Sequence, residues 1–361
     1  MPYQITINPS NHVFIAESGE TVLQAALREG FALPYGCRNG ACGTCKGKII
    51  QGTVDFGSHN EDTLTEMEKR AGMALFCCAT PLSDLVIESR EIGAMKDIKI
   101  KTLPCRVHKL ERVAPGVMII SLKLPASERL QFLPGQYIDI LMKDGKRRSF
   151  SLANAPHDDE LLQLHVRNYP GGTFAEHVFT RMKEKDILRF EGPLGTFFLH
   201  EDSDKPIIFV ASGTGFAPVK SILDHAFYIR NIQGSERQMV LYWGNRTRAD
   251  MYMPELPGLW QQEHDNFTFI PVLSEALPAD DWNGRTGLVH AAVMQDFDSL
   301  AGYQVYACGA PGMVEAAHRD FTRHRGLPEE EFFSDAFTVS SGSTTRSFDT
   351  SGEPPEVGLQ K

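Results

Sequence analysis

Residues 36–45 read GCRNGACGTC and residues 76–81 read FCCATP. Cys37, Cys42 and Cys45 stand in a C-x4-C-x2-C spacing, and the pair Cys77–Cys78 follows further along the chain. In a [2Fe–2S] cluster four thiolates converge on two irons, and this is the plant-type spacing of such ligands. A short loop can wrap three of them around the cluster. Gly36, Gly40 and Gly43 let the backbone come close and adopt positive φ. Their amides can then point at the sulfurs and stabilise negative charge. Zinc is the competing reading, but it favours paired C-x2-C units and only one is present. Spacing alone leaves the fourth ligand open between Cys77 and Cys78.

Working outward, the flanking sequence supports a small domain over residues 1–92. YQITIN and HVFIAE alternate like strands, ETVLQAALREG has helical spacing ending at Gly30, and SDLVIES reads as a strand. Residues 103–203 are dense in short strands (CRVHKLERV, VMIISLKL, QYIDILM, RRSFSLAN, LLQLHVRN) separated by turn signals such as APG, LPG and KDG, which predicts an antiparallel barrel or sandwich. Residues 204–338 alternate strand and helix: IIFVA leads into SGTGFAPVKSILDHAFYIRN, and MVLYWG, FTFIPVL and YQVYACG follow. That alternation predicts a parallel α/β sheet. Residues 339–361 are rich in Ser, Thr, Gly and Pro and are expected to be disordered.

The chain of 361 residues is long enough for three domains. Its 42% apolar and 23% charged residues are those of a globular protein. No run of apolar residues is long enough to span a bilayer. The net charge of −10 argues against nucleic acid as a partner. MPYQITINPS has neither the basic start nor the apolar stretch of an export signal, so a cytoplasmic location is expected. The seven cysteines are then expected as ligands or free thiols rather than disulfides. Cys105 is read as a small core residue. The twelve histidines show no metal-ligand spacing and are read as surface or capping residues.

GCRNGACGTC resembles the cluster loop of a plant-type ferredoxin, and residues 1–92 resemble that domain as a whole. In that family the fourth ligand stands four residues before a Pro leading into a final strand, which implies Cys77 and leaves Cys78 as a packed neighbour. RRSFS at 147–151 resembles the Arg-x-Tyr/Phe-Ser motif of ferredoxin reductases. The resemblance gives Arg148 a flavin phosphate, Phe150 the cover of the isoalloxazine, and Ser151 the approach to its redox-active nitrogen. PGGTFAEHVF at 170–179 resembles the second phosphate loop, implying contacts from the backbone of Gly171, Gly172 and Thr173. Ala175 replaces the Ser common at the end of that loop. GPLGTF at 192–197 matches the turn that closes the barrel. FAD is implied over FMN.

SGTGFAP at 212–218 follows a strand and opens a helix, a setting in which amides can meet a pyrophosphate. It resembles the family's nucleotide loop, which implies Gly213, Thr214 and Gly215 as contacts. YACGAPGM at 306–313 resembles the second nucleotide loop, with Cys308 and Gly309 beside the nicotinamide. Ser151 and Cys308 are thus the implied catalytic pair, with Cys308 shaping the hydride pocket rather than acting as a nucleophile. Arg246 and Arg248 could accept a 2′-phosphate, so NADPH is possible, but NADH is favoured. FFSDAFT at 332–338 matches the aromatic C-terminal strand and suggests a place for Phe337 beside the flavin.

The resemblance implies a chain of β-grasp ferredoxin domain, antiparallel β-barrel flavin domain and parallel α/β nucleotide-binding domain. A hydride carries two electrons, the cluster accepts one, and a flavin converts between them. The expected activity is therefore electron transfer from NAD(P)H through FAD to the [2Fe–2S] cluster and on to a protein acceptor. Relatives serve oxygenases of aromatic and hydrocarbon breakdown and a deoxysugar dehydrase, and the motifs look closest to the deoxysugar branch. An oxygenase component is the alternative acceptor. A non-enzymatic iron–sulfur protein with a vestigial reductase module, and a subunit of a membrane quinone reductase, are the rival readings. A monomer is favoured.

Overall fold

The computed structural model describes residues 2–95, 98–169 and 171–338. The tail expected to be disordered lies outside the described residues.

The N-terminal unit comprises β1 (Tyr3–Asn8), β2 (Val13–Ala16), α1 (Val22–Arg28), β3 (Lys46–Gln51), β4 (Val54–Asp55), α2 (Glu66–Arg70), β5 (Met73–Leu75), β6 (Thr80–Pro81) and β7 (Leu85–Glu88). Five strands form one sheet in the order β2-β1-β7-β3-β5, with β1 and β7 parallel and the other pairs antiparallel. Helix α1 lies across it. Thr21 caps α1 through a reciprocal pair with Gln24, and the helix buries Val22, Leu23, Ala25 and Ala26. This is the β-grasp arrangement. The long loop between α1 and β3 carries Cys37, Cys42 and Cys45.

The middle unit comprises β8 (Lys101–Ala114), β9 (Val117–Lys123), β10 (Tyr137–Leu141), β11 (Arg147–Ser151), β12 (Leu162–Arg167), α3 (Thr173–Thr180) and β13 (Ile187–Leu194). Its strands are all antiparallel, in the order β11-β10-β13-β8-β9-β12. A bridge between Leu152 and Leu164 joins the two edges and closes the barrel. Strand β13 was hidden in the sequence because its far end is the GPLGTF turn.

The third unit comprises β14 (Ile207–Ser212), α4 (Phe216–Gln233), β15 (Met239–Asn245), α5 (Glu255–Glu263), β16 (Phe267–Leu273), β17 (Arg285–Thr286), α6 (Val289–Asp296), β18 (Gln304–Gly309), α7 (Pro311–Arg325) and β19 (Phe332–Ala336). The sheet is wholly parallel, in the order β17-β16-β15-β14-β18-β19. The chain runs outward from β14 in one direction, then returns to β18 on the other side. That reversal places the topological switch point between β14 and β18, where open α/β sheets bind ligands at the carboxyl ends of the strands.

One short segment at the end of the barrel joins the cores of the other two units. Leu194 and Phe198 pack into the N-terminal core, whereas Phe197 and Leu199 pack into the core of the third unit. Between them Thr196 exchanges hydrogen bonds with Tyr35: its Oγ1 accepts from the Tyr35 amide at 3.0 Å and donates to the Tyr35 carbonyl at 2.9 Å.

Two histidines depart from the sequence reading. His165 and His290 are buried, not surface residues. His165 lies on β12 where the barrel meets the third unit, and its Nδ1 is 2.8 Å from the Tyr252 hydroxyl. The alternation of β12 gave no sign that a second domain covers that face.

Candidate functional site

The cysteine loop comes first. Gly40 has φ +77, and a Cβ there would stand 2.8 Å from both Cys78 Sγ and His59 Cβ. Glycine is therefore required where the loop folds against residues 59 and 78. The amide of Cys37 donates to Cys42 Sγ and that of Cys42 to Cys37 Sγ, each at 3.3 Å. Backbone amides aimed at sulfur stabilise thiolates.

The sulfurs approach in twos. Cys37 and Cys42 exchange backbone-to-sulfur hydrogen bonds, and Cys45 and Cys77 face each other closely enough to share a proton. Hydrogen bonding from Cys37 draws the Cys42 thiol below its usual range, and that from Cys45 and Cys78 does the same for Cys77. No three His, Cys, Asp or Glu side chains among the described residues gather as they would around one metal ion. Cys78 Sγ lies 3.5 Å from Cys77 Sγ. Cys105 is buried in the barrel core.

The flavin motif lies on β11. Arg148 and Phe150 share one side of the strand, and Ser151 is buried at its end. The Phe150 ring packs on Phe174 at 5.1 Å between centroids. That contact sets β11 beside the first turn of α3, whose N-cap is Gly172 and which has no side-chain cap. Open amides of a helix start and a nearby guanidinium suit a diphosphate. Arg148 makes no ion pair among the described residues. Its Nη1 donates to the Arg147 carbonyl at 2.8 Å.

At the switch point, Gly213, Thr214 and Gly215 form a buried 3₁₀ turn between β14 and α4. The turn packs backbone to backbone on the end of β18. A Cβ at Gly215 would lie 2.2 Å from the Cys308 carbonyl, and one at Gly309, with φ +131, 2.2 Å from Ser212 Oγ. The same Ser212 Oγ accepts from the Ala310 amide at 2.9 Å. Cys308 is fully buried, which pushes its thiol well above the usual range and leaves it a neutral wall rather than a nucleophile. Phe337 donates its amide to the Gly309 carbonyl at 2.8 Å.

Several residues escaped the sequence reading. Arg167 crosses from β12 so that its Nη1 would lie 2.5 Å from a Cβ at Gly213, and its Nη2 pairs with Asp250 at 3.0 Å. It adds a fixed positive charge at the glycine turn. Asp335 stands opposite Cys308 across β18 and β19. Burial pushes its carboxyl up to about 7, with the Cys42 sulfur adding to the effect. The acid in FFSDAFT was its only sequence signal.

The cluster loop is sewn directly onto the barrel. Tyr137 Oη donates to the Gly36 carbonyl at 2.7 Å. Tyr137 pairs across the sheet with Ser151, so the residue before Cys37 is tied to the strand beside the flavin motif.

Three family models match in order: a 2Fe-2S iron-sulfur cluster binding domain over residues 5–82, an oxidoreductase FAD-binding domain over 104–199 and an oxidoreductase NAD-binding domain over 209–319. The chain is 40% identical over 342 residues to a CDP-6-deoxy-L-threo-D-glycero-4-hexulose-3-dehydrase reductase of Yersinia pseudotuberculosis, covering 94% of this chain and all of that one. It is 34% identical to the DmpP reductase component of a Pseudomonas phenol 2-monooxygenase, covering 95% of this chain and 97% of that one. Among solved structures, the Amycolatopsis cytochrome P450 reductase GcoB superposes with a TM-score of 0.77 at 33% identity, covering 93% of this chain and 99% of that one.

Proposed function

The chain belongs to the NAD(P)H-dependent [2Fe–2S] flavoprotein reductases, and from that premise we propose that its protein acceptor is a dehydrase acting on a CDP-linked 6-deoxyhexulose. The three family domains make it an oxidoreductase with FAD, NAD and a [2Fe–2S] cluster as its cofactors. The reading of a vestigial, non-enzymatic module falls with them. When bound, the flavin takes the two electrons of a hydride and releases them singly to a cluster that accepts one.

The chain's own residues support that traffic. Cys37, Cys42, Cys45 and Cys77 hold the cluster, and the amides of the loop stabilise its sulfurs. Arg148 and the open start of α3, with Gly171, Gly172 and Thr173, bind the flavin diphosphate. Phe150 covers the ring and Ser151 faces its reactive edge. Gly213, Thr214 and Gly215 admit the dinucleotide, with Arg167 adding charge, while Cys308 and Gly309 shape the nicotinamide pocket. NADH is favoured over NADPH: Arg246 lies 3.7 Å from Glu275, and Arg248 Nη1 donates to the Asp280 carbonyl at 3.0 Å. These contacts draw both guanidinium groups toward neighbouring acceptors, although each keeps donors open to solvent.

The observation that carries electron transfer to the cluster is the Tyr137–Gly36 hydrogen bond, which seats the ligand loop on the flavin strands. The dehydrase acceptor rests on the 40% identity to the dehydrase reductase across the whole chain. The test is reconstitution. Purified reductase with NADH is given either a CDP-6-deoxyhexulose 3-dehydrase and its substrate or a phenol hydroxylase oxygenase component. Sustained turnover with the dehydrase is expected, and efficient coupling to the oxygenase alone would overturn the assignment.

A further inference from the structure

Four charged side chains meet where the cluster loop touches the barrel. Arg38, the residue after Cys37, reaches Glu191 at 3.3 Å and Asp139 at 3.7 Å. Arg147 reaches the same two carboxylates, at 2.7 Å and 3.8 Å. Asp139 on β10 and Glu191 on β13 are register partners, so the barrel itself holds the two acids side by side. Ser149 Oγ donates to Asp139 Oδ1 at 2.6 Å and fixes that carboxylate. Two positive and two negative groups leave the quartet neutral.

Three of the four side chains are largely shielded from solvent. The side chains of Asp139, Glu191 and Arg38 are 7%, 20% and 25% exposed, and Arg147 closes the quartet from the solvent side at 46%. Charges this enclosed are screened far less than those on an open surface. Burial would raise the Glu191 carboxyl, but Arg147 and Arg38 hold it below the usual range.

The backbone supplies an independent observation. Arg38 has φ +61, left-handed geometry that a side chain other than glycine adopts at a cost. Such strain persists where the surroundings impose it. Here it turns the guanidinium out of the ligand loop and across the seam onto the barrel.

We propose that Arg38, Asp139, Arg147 and Glu191 form a charge-neutral interlock that fixes the cluster loop against the flavin strands, with Arg38 as a positioning residue for electron transfer into the cluster. The inference rests on the flavin-to-cluster route and is independent of the acceptor. In the step it serves, the reduced flavin loses one electron and the cluster gains it. Tunnelling falls steeply with distance, so the loop must be held. Without Arg38, Asp139 and Glu191 keep only Arg147 between them. An uncompensated carboxylate then faces a cluster that becomes more negative on reduction.

The test uses the full-length holoprotein and Arg38→Gln. In anaerobic stopped-flow mixing with NADH, flavin reduction is expected at the wild-type rate and cluster reduction slowed about tenfold or more, the scale of loss that small misplacements produce. Hydrogen exchange gives a readout apart from turnover. Amides of residues 36–45 and 189–196 should lose protection together in the variant. Because Arg38 adjoins a ligand, Glu191→Gln repeats both measurements from the barrel side, and the charge-reversed pair Arg38→Glu with Glu191→Arg should recover part of the rate lost in Arg38→Glu. Cluster reduction and amide protection unchanged in both single variants would overturn the interlock. So would a double variant no faster than Arg38→Glu. If NADH does not reduce the cluster of the wild-type protein, the electron route itself is wrong and the interlock falls with it.

Discussion

Tyr137 and Gly36 are joined by a hydrogen bond of 2.7 Å from the phenol of one domain to a backbone carbonyl of another. Tyr137 is buried, and with Leu194 and Phe198 it belongs to the apolar core of the ferredoxin domain although it is a barrel residue. The cluster loop is therefore part of a shared interior and not a tethered appendage. Tyr137→Phe keeps the ring and leaves the Gly36 carbonyl without that donor. It should cost about 1–2 kcal/mol, read as a lower denaturant midpoint with the cluster still bound.

The resemblance to plant-type ferredoxins makes Cys77 rather than Cys78 the fourth ligand. Cys77→Ser should therefore abolish the cluster signal, because one of the four thiolates is lost. Cys78→Ser should keep a full iron and sulfide content. Reversed outcomes would move the fourth ligand to Cys78.

Arg148 has no ion pair among the described residues, and its strand runs beside the uncapped start of α3. Arg148→Ala should purify with little FAD and bind added FAD weakly, with iron content unchanged. Unaltered flavin content would remove Arg148 from the diphosphate site.

Gly309 touches the glycine turn so closely that any side chain collides with Ser212. Gly309→Ala should force β18 away from β14 at the switch point. The expected result is a KM for NADH raised about tenfold or more, the cost of small displacements at a reacting site, while bound FAD stays at the wild-type level. An unchanged KM would show that the nucleotide does not use this turn.

His165 carries the pH prediction. Burial holds its imidazole down to about 3 from an ordinary value of 6.5, so the folded protein keeps it neutral. Between those values the unfolded chain binds the extra proton. Stability from this group is therefore complete above pH 6.5 and falls as the pH drops toward 3, by up to about 1.4 kcal/mol per pH unit. Thermal unfolding from pH 7 to pH 5 should decline less steeply in His165→Phe than in wild type. Parallel declines would contradict the assignment.

What the sequence revealed was local. The cysteine spacing, the Arg-x-Phe-Ser strand and the two glycine turns depend on neighbours within one loop, so their residue order carries the geometry. The alternation of strands and helices likewise exposed an antiparallel unit and a parallel α/β unit, whereas the β-grasp unit and the choice of barrel over sandwich came from the family resemblance. The seams were invisible. Thr196 and Tyr35 are 161 positions apart, and Tyr137 and Gly36 are 101 apart. No periodicity within one segment signals such contacts. Arg38 and Arg167 carried no local signal, because only the folded chain sets Glu191 and Gly213 beside them. His165 was misread for the same reason, since the domain that buries it is built from later sequence.

The central claim is that one polypeptide carries electrons from a nicotinamide to the cluster through the flavin. Anaerobic titration of the full-length protein with NADH, following flavin absorbance and the electron paramagnetic resonance of the cluster together, tests it most directly. The account predicts that the cluster becomes reduced along with the flavin, without any added mediator. Flavin that bleaches fully while the cluster stays oxidised under excess NADH would contradict it.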